Sequence, residues 1–166
     1  GVGALKNGIG VSCLMPTFSR QHLLPRAIAM FRAQRRPDAE LLIVSEEAVP
    51  ASLVRGNPEI RVIHCRAGLS LGEKRNLACE AAHGEILVHW DDDDWQAPDR
   101  LARQLATFAN PETLVSGSSR VHFYESSTAK CWEYRYENHD RPWVCGATLA
   151  YRRCYWQQNP FAEDRK

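Results

Sequence analysis

The chain has 166 residues, of which 44% are hydrophobic, and this is enough for one domain with a sizeable core. Its formal net charge of +1 gives no chain-wide positive field, which argues against nucleic acid or an anionic membrane as a partner. No apolar run approaches the roughly 18 residues of a membrane span, and the start of the chain lacks the pattern of a secretory signal. Six cysteines without a Cys-x-x-Cys pair are typical of reduced thiols, so we expect a cytoplasmic protein.

Strand-like and helix-like segments alternate through the first two thirds of the chain. Short apolar runs predict buried strands at residues 9–15, 40–45, 60–65 and 85–90. Apolar spacing and end signals predict helices at residues 23–34, 73–83 and about 98–109, with Gly84 closing the second one. Residues 48–58 are expected to form a loop with one short helical turn. The alternation predicts an α/β fold with a mainly parallel sheet flanked by helices.

The pattern changes after Pro111. Strand-like segments follow one another at residues 114–119, 120–124, 130–136 and 144–151, and no final helix is obvious. We therefore expect a mixed or antiparallel C-terminal extension packed on the parallel sheet. This divides one domain, residues 1–166, into a first half at 1–110 and a second half at 111–166.

Four consecutive carboxylates, Asp91 to Asp94, follow the predicted strand at residues 85–90 and precede a predicted helix. In open α/β sheets, ligands bind at the carboxyl ends of the strands. Adjacent negative charges repel one another, and a hard divalent cation with oxygen ligands would offset this repulsion. An extended backbone would turn Asp91 and Asp93 to one face and Asp92 and Asp94 to the other. The simpler alternative, a solvated acidic loop that caps the helix, is disfavoured by the flanking strand and tryptophans.

Three further polar clusters end predicted strands or begin a helix, at residues 16–20, 45–47 and 72–76. All four clusters should therefore meet at one edge of the sheet. A turn with an acidic group can read a base edge, and Lys74 and Arg75 at a helix start can meet a pyrophosphate. Lys74 and Arg75 could instead form a solvated helix face. The absence of a glycine-rich phosphate loop argues against a P-loop NTPase or a dinucleotide-binding enzyme.

The ordered set of motifs from residue 9 to residue 160 resembles the family 2 glycosyltransferases. VSCLMPTFSR at residues 11–20 is similar to the family's Val-Ser-Val-Val-Ile-Pro-Thr-Tyr-Asn-Arg run. LGEKRNLA at residues 71–78 resembles its Gly-x-x-x-x-Arg-Asn segment. Gly-Glu-Ile at residues 84–86 and the Asp run resemble its Gly-Glu-x-Ile and Asp-x-Asp-Asp motifs. GATLAYRR at residues 146–153 resembles its Gly-Ala-Thr-Leu-x-x-Arg-Arg segment.

This resemblance implies a GT-A, Rossmann-like fold and a hexosyltransferase-type activity. It implies a nucleotide-diphosphate sugar donor, Mn or Mg as cofactor, and inverting transfer to an acceptor hydroxyl on a saccharide, lipid or protein. Asp93 would bind the metal, Pro16, Thr17 and Glu46 the base, and Asp91 or Asp92 the ribose. With the clusters above, the expected nucleotide-binding residues are Pro16, Thr17, Phe18, Arg20, Glu46, Lys74, Arg75, Asn76, Asp91 and Asp92.

Three residues are candidates for contact with the donor sugar or the acceptor: Trp95, Trp143 and Gly146. Trp95 could wall the donor sugar or only staple the following helix. Trp143 and Gly146 could belong to an acceptor loop or to a plain strand start. His89 is expected to be a core histidine with satisfied hydrogen bonds rather than a ligand.

The chain departs from the family pattern in two places. Its second strand ends in Ser45-Glu46-Glu47 where the family has two aspartates, which leaves the choice of base open. The family's Glu-Asp pair supplies the catalytic base, and here Glu163-Asp164 comes early. We therefore expect the base beyond Lys166 and take Asp164 as the candidate within the chain. Without a base, the alternative function is a non-catalytic nucleotide-sugar-binding or assembly domain. An EF-hand-like calcium loop is disfavoured by Trp95 and Pro98.

Overall fold

A computed structural model describes residues 10–136 and 140–163 of the chain. In the described ranges, no helix is both long and apolar enough to span a bilayer. Short 3-10 helices in the described part of the chain supplement the regular elements, at Gln21–Leu23, Thr107–Ala109 and Gly146–Thr148. The strands and helices are, in chain order, β1 (Val11–Thr17), α1 (Leu24–Ala33), β2 (Ala39–Ser45), α2 (Ala51–Val54), β3 (Ile60–His64), α3 (Leu71–Ala81), β4 (Ile86–His89), α4 (Arg100–Ala106), β5 (Val115–Ser116), β6 (Arg120–Glu125), β7 (Lys130–Arg135), β8 (Ala150–Arg152) and α5 (Arg153–Gln158).

A six-stranded sheet forms the centre of the fold, in the order β3-β2-β1-β4-β8-β5. The first four strands in this order are parallel, whereas β8 runs antiparallel to both β4 and β5. This confirms the predicted parallel sheet with an antiparallel extension. The remaining strands, β6 and β7, pair only with each other in a separate hairpin.

The central strands β1, β2 and β4 are buried on both faces, which explains why β1 and β2 are nearly continuous apolar runs. One face packs against α1 and α4 through residues that include Phe31, Trp90 and Leu101. The other face packs against α3 around Leu14 and Leu87. Helices thus cover both faces of the central strands, so a ligand would approach these strands at their ends.

Two expectations for the second half were wrong. Residues 144–151 do not form one strand, because a 3-10 turn at Gly146–Thr148 interrupts them and only β8 joins the sheet. A final helix, α5, does follow. It is held by tertiary contacts that its short sequence does not reveal: the Trp156 indole donates to Asn76 Oδ1 at 3.0 Å, and Arg153 donates to the Gly84 carbonyl.

Gly84 does not close α3 as expected, since that helix ends at Ala81 and Ala82 is already extended. Its role is close packing instead. A Cβ at Gly84 would lie 2.6 Å from the backbone nitrogen of Ser12, and the Gly84 N–H donates to Ser12 Oγ at 2.8 Å. Only glycine allows the entry to β4 to approach β1 this closely.

Candidate functional site at the carboxyl edge of the sheet

The parallel strands bring the four predicted polar clusters together at one edge. Thr17 at the end of β1 lies opposite Ser45 at the end of β2, and its hydroxyl donates to Asp92 Oδ2 at 2.6 Å. The α3 cluster joins them, because Lys74 contacts Glu46 and Arg75 lies 3.6 Å from an Asp91 oxygen. The side chains after β1, β2 and β4 and at the start of α3 therefore form one polar surface.

Asp92 is the anchored member of the acidic run. It is only 2% exposed, and its two carboxylate oxygens accept hydrogen bonds from the Thr17 hydroxyl and from Arg20 Nη1 at 2.6 and 3.0 Å. A buried carboxylate is tolerated when it is paired and hydrogen-bonded in this way. Asp92 thus fixes the end of β1 against the end of β4.

Asp93 is the exposed member, with about half of its side chain open to solvent. Arg20 Nη1 donates to it at 2.6 Å and to Asp92 as well, so one guanidinium serves two adjacent carboxylates. The expected alternation of faces is therefore wrong: the backbone turns at Asp92 and Asp93 instead of staying extended. Ser19, with a left-handed φ of 52°, makes the turn that precedes Arg20.

Asp91 and Asp94 carry charge that their surroundings do not favour. Burial raises the pKa of Asp91, and Arg75 only partly counters this. Burial also raises the pKa of Asp94, to about 6, and repulsion from Asp91 and Asp93 adds to the increase. The edge thus holds more carboxylate charge than nearby guanidinium groups offset, which favours a bound cation.

Lys74 and Glu46 form a largely buried ion pair at 2.8 Å beneath the end of β1. The second oxygen of Glu46 accepts from the Gly68 N–H at 3.1 Å, and Lys74 also reaches the Thr17 carbonyl at 3.5 Å. The hydrogen bond from Lys74 lowers the pKa of Glu46. Phe18 is 59% exposed and its ring lies 5.0 Å from the Lys74 ammonium, so one face of a flat ring remains open above this pair.

Asn76 does not face the open edge, contrary to its predicted nucleotide contact. Its amide nitrogen donates to the Phe161 carbonyl and to Glu163, and its oxygen accepts from the Phe161 N–H and the Trp156 indole. All four hydrogen-bonding positions of the amide are filled. Asn76 therefore positions the segment after α5, which crosses the start of α3 so closely that a Cβ on Gly72 would overlap the Ala162 carbonyl.

His89 has the satisfied core environment that was expected. Its Nδ1 lies 2.6 Å from the Gly146 carbonyl, which can only accept, so this nitrogen carries the proton. Nε2 then accepts from the Tyr151 hydroxyl at 3.3 Å. Burial lowers the pKa of His89 to about 3, so the ring is neutral. This contact places Gly146 beside the end of β4.

The remaining candidates fall in different places. Trp95 is 73% exposed, so it does not staple α4, and the neighbouring Trp90 is the buried indole. Trp143 lies at the base of the β6–β7 hairpin against Tyr134 and Tyr136. Pro16 lies within buried β1. Asp164, the candidate base, lies outside the described residues.

Sequence reasoning missed Arg100. This largely buried guanidinium donates to the carbonyls of His89 and Ala147 and lies over the Trp90 ring, so it ties the Asp run to the Gly146 turn. Its position in the first turn of the helix after the Asp run was the available signal. A cavity of about 420 Å³ lies elsewhere, along α3 near His64, Glu80 and Glu163, and its lining includes none of the four aspartates.

The described residues contain no cluster of three or more acidic, histidine or cysteine side chains that could enclose a metal ion. A cation at this edge would therefore need ligands from the molecule it binds with. Asp93 fits such a shared site, because its oxygens are hard donors and half of its side chain is open.

Known proteins that are similar in sequence to this chain are glycosyltransferases. The sequence profile of glycosyl transferase family 2 matches residues 12–157. EpsH of Bacillus subtilis (strain 168), named as a glycosyltransferase, is 27% identical over 122 residues, covering 70% of this chain and 35% of its own. WcaA of Escherichia coli (strain K12), named as a colanic acid biosynthesis glycosyl transferase, is 33% identical over 108 residues, covering 61% and 39%. The chain thus spans little more than a third of these relatives.

Solved structures with the same fold include glycosyltransferases. The mannosyltransferase PcManGT from Pyrobaculum calidifontis, in complex with GDP-Man and Mn2+, has a TM-score of 0.72 at 19% identity, covering 96% of this chain and 49% of its own. TarS residues 1–349 from S. aureus have a TM-score of 0.66 at 19% identity, covering 95% and 51%. A complex of the same TarS fragment with UDP-GlcNAc has a TM-score of 0.63 at 16% identity, covering 90% and 47%.

Proposed function

This chain belongs to glycosyl transferase family 2 and has the GT-A fold, and on that premise we propose that it transfers a sugar from a nucleotide-diphosphate donor to an acceptor hydroxyl, with a divalent cation and with inversion. The observation that carries the proposal is the excess of carboxylate charge at the strand ends, beside an arginine and an exposed aromatic ring. A diphosphate with its cation is the ligand that this combination suits.

The cation would be Mn or Mg, held by Asp93 and completed by oxygens of the donor diphosphate. When bound, it would stabilise the charge that develops on the leaving nucleoside diphosphate. The mannosyltransferase with Mn2+ supports this assignment by analogy of fold. Asp94 and Asp91 contribute negative potential around the ion, and Arg20 holds the Asp92–Asp93 turn in place.

The nucleoside would lie between the ends of β1 and β2. Phe18 offers its open ring face to the base, and the Glu46–Lys74 pair forms the polar floor beneath it. Because both Glu46 oxygens already accept hydrogen bonds, we assign Glu46 to shaping this floor as well as to contacting the base. Asp91 would meet the ribose, and Arg20 and Arg75 would flank the diphosphate.

Inversion needs a carboxylate that takes the proton from the acceptor hydroxyl. We propose that it follows the Arg152–Arg153 pair, with Asp164 as the candidate in this chain. Residues 111–166, the half that includes Trp143 and Gly146, would form the acceptor side of the site, and residues 1–110 would form the nucleotide-binding half. We place the reaction in the cytoplasm, in keeping with six free cysteines.

A thermal-shift panel tests the donor site. UDP, GDP and TDP are each added with Mn, with Mg or with EDTA. One nucleotide should raise the melting temperature only when metal is present, because a ligand that binds the folded state alone stabilises it by about 2.7 kcal/mol at a hundredfold excess over its dissociation constant. An unchanged melting temperature with all three nucleotides and both metals would contradict the proposal.

A further inference from the structure

The β6–β7 hairpin has two faces of different chemistry. Its register pairs Val121 with Tyr134 and Phe123 with Trp132, so these four side chains share one face. The opposite face carries Tyr124 and an ion-pair cluster in which Glu133 contacts both His122 and Arg135. One face of the hairpin is therefore aromatic and the other is mainly charged.

The aromatic face continues past the hairpin into a strip, defined here as Phe123, Trp132, Tyr134, Tyr136 and Trp143. The Phe123 and Trp132 rings lie parallel within 16°, with their centroids 5.9 Å apart. The centroid of the Trp143 ring lies 6.1 Å from the centroid of Tyr134 and 4.9 Å from that of Tyr136. Each ring thus contacts a neighbour, and Trp132 and Tyr134, two residues apart on β7, place the two groups on the same face of the hairpin.

The aromatic strip is ordered but open. Phe123, Trp132 and Tyr134 are each nearly half exposed, and Trp143 is 38% exposed. Cross-strand aromatic pairs help to hold a hairpin together, which explains the pairing. It does not explain why the rings leave so much surface to solvent, and contiguous exposed apolar surface marks a site of binding.

The strip is connected to the carboxylate edge through the Gly146 turn. The hairpin base is tied to the Gly146 turn, since the Cys145 N–H donates to the Ser118 carbonyl at 2.8 Å and Thr148 Oγ1 accepts from the Ser118 N–H. Trp143 precedes Gly146 by three residues, and the Gly146 carbonyl contacts His89, two residues before the Asp run. The hairpin base, the Gly146 turn and the end of β4 are thus joined by direct hydrogen bonds, which connects the strip to the proposed donor site.

We propose that the aromatic strip is an acceptor subsite that holds an extended saccharide chain, and this inference rests on the proposed function. Sugar rings present flat C–H faces that pack on aromatic faces, and hydroxyl groups that bond to polar edges. The strip supplies both, because tyrosine hydroxyls and tryptophan N–H groups accompany the ring faces. The ion-pair cluster of the hairpin lies on its opposite face, and the strip itself presents no charge to a ligand. A neutral ligand suits such a surface better than an ionic one.

The matched pair of variants is Trp132→Ala on the strip and Tyr124→Ala on the opposite face. Tyr124 is 67% exposed and belongs to the same hairpin, so it controls for loss of an aromatic ring at this place in the fold. Trp132→Phe keeps a ring and should keep function. Melting temperatures of all the proteins establish that each is folded.

The experiment uses the full chain with Mn and the nucleotide found by the thermal-shift panel. Binding of linear cello-, malto-, chito- and manno-oligosaccharides of two and of five sugars is measured by calorimetry. We expect one pentasaccharide to bind at least tenfold more tightly than its disaccharide, and Trp132→Ala to remove that advantage. Tyr124→Ala and Trp132→Phe should retain it, and donor binding should be equal in all the proteins.

Three results would overturn the inference while the proposed function stands. They are donor binding without binding of any pentasaccharide, equal saccharide binding by Trp132→Ala and Tyr124→Ala, and loss of self-association in Trp132→Ala with no change in saccharide binding. The last would assign the strip to contact between two copies of the chain. Absence of donor binding in the unmodified protein would instead contradict the proposed function itself.

Discussion

The two ends of the central sheet both hold buried carboxylates, but they neutralise them differently. At the amino end, Glu40 in β2 is fully buried and accepts hydrogen bonds from Ser12 Oγ, Arg61 Nη1 and the His83 N–H at 2.7, 2.9 and 2.7 Å. Burial tends to raise its pKa, yet these three bonds outweigh burial and lower the pKa. The chain itself satisfies this charge.

At the carboxyl end the balance is reversed. Thr17 and Arg20 satisfy Asp92, but burial raises the pKa of both Asp91 and Asp94. A carboxylate that its own chain satisfies serves stability, whereas charge left in excess is available to a ligand. By this criterion, Glu40 is a structural carboxylate, whereas the Asp91–Asp94 run at the other end of the same sheet is a functional one.

The largest expected effect is on stability at the amino end. Glu40→Ala removes the carboxylate that pairs with Arg61 and that accepts hydrogen bonds from the buried Ser12 hydroxyl and the part-buried His83 N–H. We expect a loss of about 2–4 kcal/mol in unfolding free energy, because each buried group left without its hydrogen bond costs about 1–3 kcal/mol. Urea denaturation measures the loss, with Glu59→Ala as the control because its contact with Arg32 is at the surface. If Glu40→Ala lowers the unfolding free energy by less than about 1 kcal/mol, the hydrogen bonds to Glu40 do not serve stability as proposed.

The next effect is on binding at the carboxyl end. Asp93→Asn should weaken metal-dependent nucleotide binding by about 10- to 100-fold, the range expected from losing a charged contact of about 1.5–3 kcal/mol. Its stability without ligand should change little, because half of the side chain is exposed. Calorimetric titration compares it with Asp94→Asn, for which we expect a smaller loss. If Asp94→Asn loses as much nucleotide affinity as Asp93→Asn, or more, Asp93 is not the main metal ligand.

A smaller effect is expected from the pair beneath the base site. Lys74→Met leaves Glu46 largely buried without its ion pair, and Glu46→Gln should relieve part of the resulting loss. The double-mutant cycle should give a coupling of about 1–2 kcal/mol in unfolding free energy. Nucleotide affinity should fall in both single variants. Additive effects would show that the two side chains do not act as a unit.

The smallest effect is a pH dependence from Asp94. Its pKa of about 6 lies above the ordinary value of 3.8, so the fold favours the neutral carboxyl. The resulting stability is fully present below about pH 4 and is lost as pH rises through 6. In EDTA, the unmodified protein should lose about 2–4 °C more in melting temperature from pH 4 to pH 7 than Asp94→Asn does. Asp99→Asn is the control, because the Asp99 side chain is exposed. Identical pH profiles for Asp94→Asn and the unmodified protein would mean that the fold does not disfavour the ionised form of Asp94.

Much of the fold followed from the sequence because periodicity and end signals are local. Apolar runs predict the parallel strands, and their order along the chain predicts that the polar clusters meet. The turn at Asp92 and Asp93 was missed because it depends on Thr17 and Arg20, more than 70 residues away in the chain. Helix α5 was missed for the same reason, since it packs through Trp156 on Asn76.

The assignment of side-chain roles was harder to predict than their location. Lys74 and Asn76 do lie at the start of α3, but each is used by the chain itself, one by Glu46 and the other by the segment after α5. Sequence spacing predicts which residues lie near a site. Which of them remain free to bind a ligand depends on the partners that folding brings to them, as Glu46 is brought to Lys74.

Anomalous diffraction at the manganese edge tests the central claim most directly. Crystals would be grown with Mn and the nucleoside diphosphate that stabilises the protein. The account predicts a strong anomalous peak in contact with an Asp93 carboxylate oxygen and with oxygens of the diphosphate. A peak elsewhere, for example in the cavity beside Glu80 and Glu163, with the nucleotide bound and no density at Asp93, would contradict it.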